Sequence, residues 1–587
     1  MYFPLLIIAY YVIPVIVMIR LRGKYSQSSI LLSIKLVLFY TWFLSITHIE
    51  TLKNIIGGNH YNITCMIIFN LIPFFLHYIP IDLSEDKQHT EKKRIIILNK
   101  VESIISVLML SIAISGCKDI YESTGPLYYD EWVALLISAG AYKGNTKIVM
   151  AFIVKYVFEN LILAIIVLLG LHSLSKRTLS IYKYKFTLSY RFLSLIYLIS
   201  FIFLAKPLYK PQPFTGSQFL YDNSVIPSLN VMEFPKKKKN LIFISLEAYE
   251  TMYFSKEHGG IYEKSKSPNL ERIAFSDNAI FFSNLDGDKV GGVNVIPRTK
   301  FTTAAQFAMS CGYAFLSAPP RGGLEDKEQY FPKINCIWDI LRQIGYNTTI
   351  TYGTTPNDWG IGDLYYSHGI NKLWSRDDVT PNTREMYALD REVVPFFKKV
   401  LTEMGQSKDP FFASFLTLDS HEPGFLCPDC IADDNNMLTT VKCSDRRISE
   451  LLQWMEKQSW YKDTVIALFG DHIVRGNGYP ELAEKHNFSR RPFNMIINSG
   501  LKSNNNRKRE FTSMDVYPTL LAAIGAKIKT NQLGMGVNLF SGEPTLFEKF
   551  GYKKFVDECE GTKNFYNNVI LEIEGDDIRV KGSLTGF

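Results

Sequence analysis

The chain has 587 residues, which is more than one ordinary domain, so its length predicts at least two structural units. Its net charge is +7 at pH 7. Much of the basic excess lies in loops between apolar segments and in the lysine run at 236–239, which is typical of a solvated linker near lipid head groups. The charge therefore excludes any need for a nucleic-acid partner, and we expect none.

Residues 1–206 contain apolar runs that are long enough to cross a bilayer. Six such runs lie at 3–19, 30–49, 65–81, 95–116, 148–171 and 192–205. The fourth run contains Lys100 and Glu102 and the last run is short, so five spans are an open alternative. We predict an N-terminal α-helical transmembrane bundle of five or six helices at 1–206.

The charges between these runs predict the orientation of the chain. Basic side chains follow the first run, separate the third from the fourth, and precede the last: Arg20, Arg22, Lys24; Lys87, Lys92, Lys93, Arg94; Lys176, Arg177, Lys183, Lys185 and Arg191. Under the positive-inside rule these loops are cytoplasmic. We therefore expect a multi-pass protein of the plasma (inner) membrane, with everything after the bundle on the non-cytoplasmic side.

The rest of the chain is predicted to comprise a linker, an α/β domain and an extension. Residues 207–239 are rich in proline and polar residues, which predicts a juxtamembrane linker. From residue 240, strands alternate with amphipathic helices, which predicts a mostly parallel sheet between helices. The predicted strands are 241–246, 348–352, 411–418, 464–469 and 493–497, and helices include 336–344, 393–403 and 445–457. We assign the α/β domain to 240–545 and a C-terminal extension to 546–587.

Two of the predicted strands end in side chains that bind metal ions. The first strand is followed by Glu247, and the strand at 464–469 is followed by Gly470, Asp471 and His472. Sheets of this class place their sites at the carboxyl ends of the strands. An Asp-His pair alone is common at protein surfaces, but two strands that end in this way predict one metal site.

A pair of threonines, Thr302 and Thr303, stands where a loop becomes a helix of small and apolar residues. Backbone N–H groups and the helix dipole favour a phosphate at such a position. A metal ion beside a hydroxyl would lower its pKa and create a nucleophile. The alternative is that these side chains cap the helix, and the sequence does not decide between the two threonines.

His421 follows another predicted strand, within the segment LTLDSHEPGF at 416–425. An imidazole just beyond a strand end is suited to bind phosphate oxygens or to protonate a leaving group. The alternative is a structural role in the loop.

Six of the eight cysteines lie in the part predicted to be exported: Cys311, Cys336, Cys427, Cys430, Cys443 and Cys559. An even number in an oxidising compartment favours disulfides. The sequence Cys427-Pro-Asp-Cys430 would alternatively be half of a zinc site, but the chain has no second Cys-x-x-Cys.

Taken in chain order, these motifs resemble the alkaline-phosphatase/sulfatase superfamily. More narrowly they resemble its membrane-anchored phosphoglycerol and phosphoethanolamine transferases, which include the lipoteichoic acid synthases and lipid A phosphoethanolamine transferases. The segments FTTAAQFAMSCG at 301–312, LTLDSHEPGF and FGDH are most similar to the phosphoglycerol transferases of periplasmic glucans. The segment MDVYPT at 514–519 resembles a late motif of sulfatase-like domains, so the resemblance covers roughly 240–545.

The resemblance implies a sulfatase-like domain and a set of site residues. Glu247, Thr302, Asp471 and His472 would bind one divalent metal ion, Mn or Zn, with Mg as a further candidate. Thr302 would also be the nucleophile.

Two further residues would contact the substrate by the same resemblance. His421 would contact the donor phosphate. Trp359 resembles the tryptophan with which lipoteichoic acid synthases hold glycerol phosphate, although Ile361 stands where those enzymes have an arginine.

The implied activity is metal-dependent transfer of a phospholipid head group, phosphoglycerol or phosphoethanolamine, through a covalent phospho-threonine. The partners would be a phospholipid donor and a glycan or glycolipid acceptor. The alternatives are a membrane-anchored phosphodiesterase or phosphatase of the same superfamily, and a non-catalytic relative that binds glycan or lipid. Sulfate-ester hydrolysis is not expected, because the Cys/Ser-x-Pro-x-Arg motif of sulfatases is absent around Thr302. A two-metal phosphatase would need more ligands, for which Asp286, Asp288 and His486 are candidates.

Overall fold

The structure is a computed structural model that describes residues 218–315, 331–560 and 565–566, except positions 332, 357, 382, 384, 477 and 504, and two strands before residue 188. The chain divides into two compact units. One comprises Met1–Tyr129, Tyr142–Lys210 and Pro319–Gly323, and the other comprises Asp130–Ala141, Pro211–Ala318 and Leu324–Phe587. The predicted membrane spans lie outside the described residues. Within the described residues, no helix is long and apolar enough to cross a membrane.

The described part of the first unit is a hairpin. Strands β1 (Thr178–Ile181) and β2 (Tyr184–Thr187) pair in antiparallel fashion, with Thr178 opposite Thr187 and Ile181 opposite Tyr184. The hairpin lies in the basic segment that the sequence analysis assigns to a cytoplasmic loop.

The second unit contains the other described strands and all of the described α-helices. Its strands are β3 (Met232–Glu233), β4 (Asn240–Leu246), β5 (Ala279–Ile280), β6 (Asn347–Tyr352), β7 (Lys372–Trp374), β8 (Phe411–Leu416), β9 (Thr464–Gly470), β10 (Asn494–Ile497), β11 (Lys527–Ile528), β12 (Gln532–Leu533) and β13 (Gly536–Val537). Its helices are α1 (Phe219–Asn223), α2 (Pro268–Ala274), α3 (Thr302–Cys311), α4 (Ile337–Gln343), α5 (Ile361–Ser367), α6 (Arg376–Val379), α7 (Asp390–Gln406), α8 (Asn436–Glu456), α9 (Tyr479–Lys485), α10 (Val516–Ala523), α11 (Leu546–Phe550) and α12 (Tyr552–Glu560).

A seven-stranded sheet with the order β5-β10-β9-β4-β8-β6-β7 forms the centre of this unit. Strands β9, β4, β8, β6 and β7 run parallel, whereas β10 is antiparallel to both β9 and β5. The prediction of a mostly parallel sheet is confirmed, and all five predicted strands are present. Strand β8 ends at Leu416, two residues before its predicted end.

Alternate side chains of the central strands enter two different cores. Leu241 and Phe243 of β4 pack in one core with α3, α4, α5 and α10. Ile242 and Ile244 pack in the other with α2, α7 and α8. A strand that is covered on both faces needs a continuous apolar sequence rather than an alternating one. Each large side chain that is fully buried in this way contributes roughly 1.5–3 kcal/mol to folding.

Segments on either side of the predicted α/β domain pack onto each other and onto the domain. Phe219 of α1 contacts the rings of Phe550 and Phe555, at centroid distances of 4.8 and 6.3 Å. Strand β3 pairs with β11, with Met232 opposite Ile528. The described parts of the predicted linker and of the predicted extension therefore add to the core of this unit.

Two disulfide bonds join helices of this unit to neighbouring segments. Cys311 at the end of α3 is bonded to Cys336 just before α4. Cys430 is bonded to Cys443 of α8. Cys427 is a buried free thiol, so only one of the two cysteines in Cys427-Pro-Asp-Cys430 is in a disulfide.

Candidate metal centre and nucleophile

The sheet brings two of the predicted ligands to the same edge. Strands β4 and β9 are parallel neighbours, and Leu246 lies opposite Gly470. Glu247 and Asp471 therefore leave the sheet side by side. Residue 470 must be small, because a Cβ atom there would lie 2.1 Å from the backbone oxygen of Tyr249.

Four side chains meet at this edge. Glu247, Asp471 and His472 are buried, and one potential ligand atom from each lies within 4.8 Å of the other two. His472 Nε2 is 3.2 Å from Glu247 Oε1 and 3.6 Å from Asp471 Oδ2. The Thr302 hydroxyl donates a hydrogen bond to Glu247 Oε2 at 3.0 Å and lies 3.5 Å from His472 Nε2. The structure thus brings together the four residues that the sequence analysis proposes as metal ligands.

Thr302 reaches this cluster from the first turn of α3. The N-cap of α3 is Phe301, and no side chain caps this helix end. Thr302 is half-buried and its hydroxyl points at Glu247 rather than at the helix backbone, so the capping alternative does not hold for it. Thr303 is buried. The described contacts with the cluster are those of the Thr302 hydroxyl.

The donor atoms of the cluster fit a divalent cation. His472 Nδ1 lies 3.1 Å from the carbonyl oxygen of Ile473 and can donate its proton there, which leaves the lone pair of Nε2 facing the carboxylates. With His472 in this neutral form, Glu247 Oε1 is buried and has no hydrogen-bond donor. Asp471 Oδ1 accepts from the backbone N–H groups of Ala248 and His472, and its other oxygen faces His472. Two carboxylates and one imidazole suit Zn or Mn.

The charges of the cluster also favour a cation. Burial opposes ionisation of Glu247, but the charge of His472 and the hydrogen bond from Thr302 lower the pKa of Glu247 to about 2. Burial and the charge of Glu247 raise the pKa of Asp471 to about 7. Burial would lower the pKa of His472, but Asp471 and Glu247 outweigh burial and raise it to about 9. The cluster therefore holds protons that a bound cation would replace.

His421 lies beside the cluster on the loop that follows β8. Its Nδ1 is 2.9 Å from the carbonyl oxygen of Glu422, and its ring stacks on Phe425 with 5.7 Å between centroids. In addition to burial and His472, the charge of His421 contributes to the pKa of Glu247. The residue is half-buried, so its position is compatible with contact to a substrate.

A buried charge network that the sequence analysis missed anchors the His421 loop. Asp390, at the start of α7, accepts hydrogen bonds from the backbone N–H groups of Leu418 at 2.8 Å and Asp419 at 3.3 Å. Asp419 accepts from the backbone N–H of Asp390 at 2.8 Å and pairs with Arg447. Arg447 also pairs with Asp429 at 2.7 Å. The aspartate in the sequence Asp419-Ser-His is the feature from which this network could have been predicted.

The His421 loop is also tied to the loop that carries His472. The carboxylate of Glu422 accepts hydrogen bonds from the backbone N–H groups of Arg475 at 3.1 Å and Gly476 at 2.8 Å. Glu422 thus holds His421 and His472 in a fixed relation to each other.

A second buried ion pair supports the same loop. Glu250 pairs with Arg490 and accepts a hydrogen bond from the backbone N–H of Val474 at 2.8 Å. Arg490 also donates to the carbonyl oxygen of Val474. The segment after His472 is therefore held by side chains on both sides.

The structure does not bring Trp359 into the cluster by any described contact. Trp359 lies in the 3-10 turn Asp358–Gly360, and its side chain is outside the described atoms. Ile361 is buried in the core at the start of α5. A substrate contact by Trp359 stays a prediction.

The three candidates for a second metal site lie on the surface. Asp286 forms an exposed ion pair with Lys508, and Asp288 and His486 are exposed. Among the described residues, the groups of potential ligands other than the Glu247 cluster are Cys336-Asp339-His368 and Cys427-Asp429-Cys430. Each of these two groups contains a sulfur that is already in a disulfide bond.

Comparison with protein families shows one match. The Sulfatase family model matches residues 239–526, which include Glu247, Thr302, His421, Asp471 and His472.

A curated relative and two solved structures are similar to this chain. Phosphoglycerol transferase I of Salmonella choleraesuis (strain SC-B67) is 26% identical over 326 residues, which cover 53% of this chain and 40% of the relative. The lipoteichoic acid synthase LtaP of Listeria monocytogenes is 19% identical with a TM-score of 0.41, over 55% of this chain and 81% of that chain. The integral membrane lipooligosaccharide phosphoethanolamine transferase A (EptA) of Neisseria meningitidis is 13% identical with a TM-score of 0.43, over 87% and 98%. The chain thus matches less than half the length of the curated relative.

Proposed function

From the premise that residues 239–526 form a domain of the sulfatase/alkaline-phosphatase superfamily, we propose that this chain transfers a phospholipid head group. The donor is a phospholipid, the transferred group is phosphoglycerol or phosphoethanolamine, and the acceptor is a hydroxyl of a glycan or glycolipid. The enzyme is anchored by the apolar runs within 1–206, and the domain lies on the non-cytoplasmic side of the plasma (inner) membrane.

One observation carries the proposal. A threonine hydroxyl at a helix start lies 3.0 Å from a buried glutamate and 3.5 Å from a buried histidine, in a cluster that fits a divalent cation. A sulfatase would need a formylglycine precursor at this position, and a threonine cannot supply one. A threonine can form a phosphate ester, so the arrangement supports phosphoryl-group transfer.

In the first step, the Thr302 oxygen forms a bond to the donor phosphorus, and the bond from phosphorus to the diacylglycerol oxygen breaks. The hydroxyl proton leaves along the hydrogen bond toward Glu247, and diacylglycerol departs as an alcohol after it gains a proton. His421 is placed to supply that proton or to bind a phosphate oxygen. A Mn or Zn ion held by Glu247, Thr302, Asp471 and His472 would lower the pKa of the nearby hydroxyl and offset charge on the phosphate.

In the second step, the acceptor hydroxyl oxygen forms a bond to phosphorus, and the bond from phosphorus to Thr302 breaks. The acceptor hydroxyl gives up its proton as this bond forms, Thr302 gains a proton as its oxygen leaves, and the acceptor carries the head group. The buried position of the cluster excludes most water, which favours a bound acceptor over hydrolysis.

The experiment compares lipid turnover by the full chain and two variants in phosphatidylglycerol or phosphatidylethanolamine vesicles. Thr302→Ala should release no diacylglycerol, whereas Thr302→Ser, which keeps a hydroxyl, should retain part of the rate. Unchanged diacylglycerol release by Thr302→Ala would refute the proposed nucleophile. Release that is equally fast with and without a glycan acceptor, and yields only free head-group phosphate, would instead identify a phosphodiesterase.

A further inference from the structure

The guanidinium of Arg475 has no partner within the part of the chain that the structure describes. Its Nε atom is shielded from solvent and makes no hydrogen bond. The side chain as a whole is half-buried. A shielded guanidinium nitrogen without an acceptor is costly, because its desolvation is not repaid.

Three other arginines of this unit with buried side chains are paired with carboxylates. Arg447 pairs with Asp419, Arg490 pairs with Glu250, and Arg509 pairs with Glu548. Unlike these three, Arg475 has no carboxylate partner among the described residues.

The backbone of Arg475 is held close to the cluster. It follows His472 by three residues, and its backbone N–H donates to Glu422, the neighbour of His421. Val474, directly before it, is fixed by Glu250 and Arg490. The backbone of this arginine is thus clamped between the two histidine-bearing loops while its side chain lacks an acceptor.

From these contacts we infer that Arg475 binds the phosphate oxygens of the donor during transfer to Thr302. The inference rests on the proposed function, because it assigns one more contact to the same phosphodiester. A guanidinium fits a phosphate through two parallel hydrogen bonds, and no carboxylate among the described residues competes for Arg475. The apolar Ile361 offers no such charge. Arg475 is accordingly a substrate-binding residue, and not a ligand of the metal ion.

The test uses the full metal-loaded chain and two probes, phosphatidylglycerol vesicles and free sn-glycerol 1-phosphate. Arg475→Gln removes the charge, and Arg475→Lys keeps a charge without the planar fork. The control is Arg272→Gln, which removes an exposed arginine from α2. Thermal unfolding and metal content are measured for every variant.

We expect Arg475→Gln to raise both the KM for the lipid and the inhibition constant of glycerol phosphate by roughly 10- to 100-fold. Arg475→Lys should recover part of this loss, and Arg272→Gln should match the unaltered chain. Metal content and melting temperature should not change, which separates a binding role from a structural one. An effect on the lipid alone would assign Arg475 to the head group or membrane surface and overturn the phosphate contact.

Values for Arg475→Gln within twofold of the unaltered chain would also overturn the inference and leave the proposed function intact. If the unaltered chain turned over no phospholipid, the proposed function would fail instead. Calorimetric titration with glycerol phosphate would then still decide the inference. Loss of binding in Arg475→Gln would support a phosphate site, and equal binding would refute one.

Discussion

Two buried groups of charged side chains in the same unit differ in how their oxygens are satisfied. In the pair Asp390 and Asp419, all four carboxylate oxygens accept a hydrogen bond from a backbone N–H or pair with Arg447. In the Glu247 cluster, Glu247 Oε1 faces no donor other than a protonated His472, and potential ligand atoms from three side chains converge. The first group is complete within the protein, whereas the only positive charge of the second is the proton on His472, which a bound cation would replace. We therefore expect these two buried groups to differ in role: the first anchors a loop, and the second would bind a cation.

The largest effect should come from Glu247→Gln, which keeps the shape of the side chain and removes its charge. We expect loss of the bound metal and a fall in lipid turnover of roughly a thousand-fold or more, because the metal supplies several kcal/mol of transition-state stabilisation. Mass spectrometric metal analysis and turnover assays measure the two effects. Asp429→Asn, which alters the other group at an exposed carboxylate, should keep its metal. A normal metal content in Glu247→Gln would contradict the difference in role between the Glu247 cluster and the Asp390–Asp419 pair.

Arg447→Met should have the opposite effect: it should lower the free energy of unfolding and leave metal binding unchanged. It leaves Asp419 buried without its cation, which costs about 3–5 kcal/mol of the free energy of unfolding. Arg446→Met disrupts an exposed ion pair with Asp429 and should cost about 1 kcal/mol or less. Denaturant unfolding compares the two variants, and the folded fraction of each should still contain metal. Equal costs for the two variants would show that Asp419 does not depend on Arg447.

Replacing both Cys430 and Cys443 by alanine should have a smaller effect on stability. The bond closes a short loop, with a sequence separation of 13, and its loss should cost about 2–3 kcal/mol. Because Cys430 lies in the segment that continues from His421, lipid turnover should fall while metal binding persists. Cys427→Ser keeps the disulfide and should be close to unaltered in thermal unfolding. A loss of metal in the double variant would mean that the two groups are coupled.

The smallest expected effect is the dependence of metal affinity on pH. In the metal-free chain, burial lowers the pKa of His472, but the two carboxylates outweigh burial and raise it to about 9. His472 is therefore protonated at neutral pH. A metal ion must displace that proton, and its affinity should therefore rise about tenfold per pH unit from about pH 7 to about pH 8. Below about pH 7 the rise should be steeper, because Asp471, with a pKa of about 7, also binds a proton. Titration of the metal-free chain with Mn²⁺ measures this slope. A pH-independent affinity would exclude His472 as a ligand.

The sequence predicts the strands of this edge better than it predicts what supports them. Strands β4 and β9 are continuous apolar runs that stop at polar residues, so their type and their ends are readable. The pairing of Leu246 with Gly470 joins distant segments and follows only from the folded sheet.

The contacts that support this edge of the sheet have no local pattern in the amino-acid sequence. Glu250 and Arg490 meet because the chain folds back on itself, and neither stands at a periodic position. Cys430 bonds to Cys443 rather than to Cys427, which the number and spacing of cysteines do not determine. These contacts depend on three-dimensional packing, and they are the part of the site that sequence reasoning misses.

The most direct test of the central claim is to find the atom that carries the transferred group. The full chain is mixed with metal and phosphatidylglycerol without acceptor, quenched in acid, digested, and analysed by mass spectrometry. We predict a phosphoglycerol ester on Thr302, absent from Thr302→Ala and from Glu247→Gln. An ester on Thr303 or another side chain, or lipid turnover with no protein ester in the unaltered chain, would contradict the account.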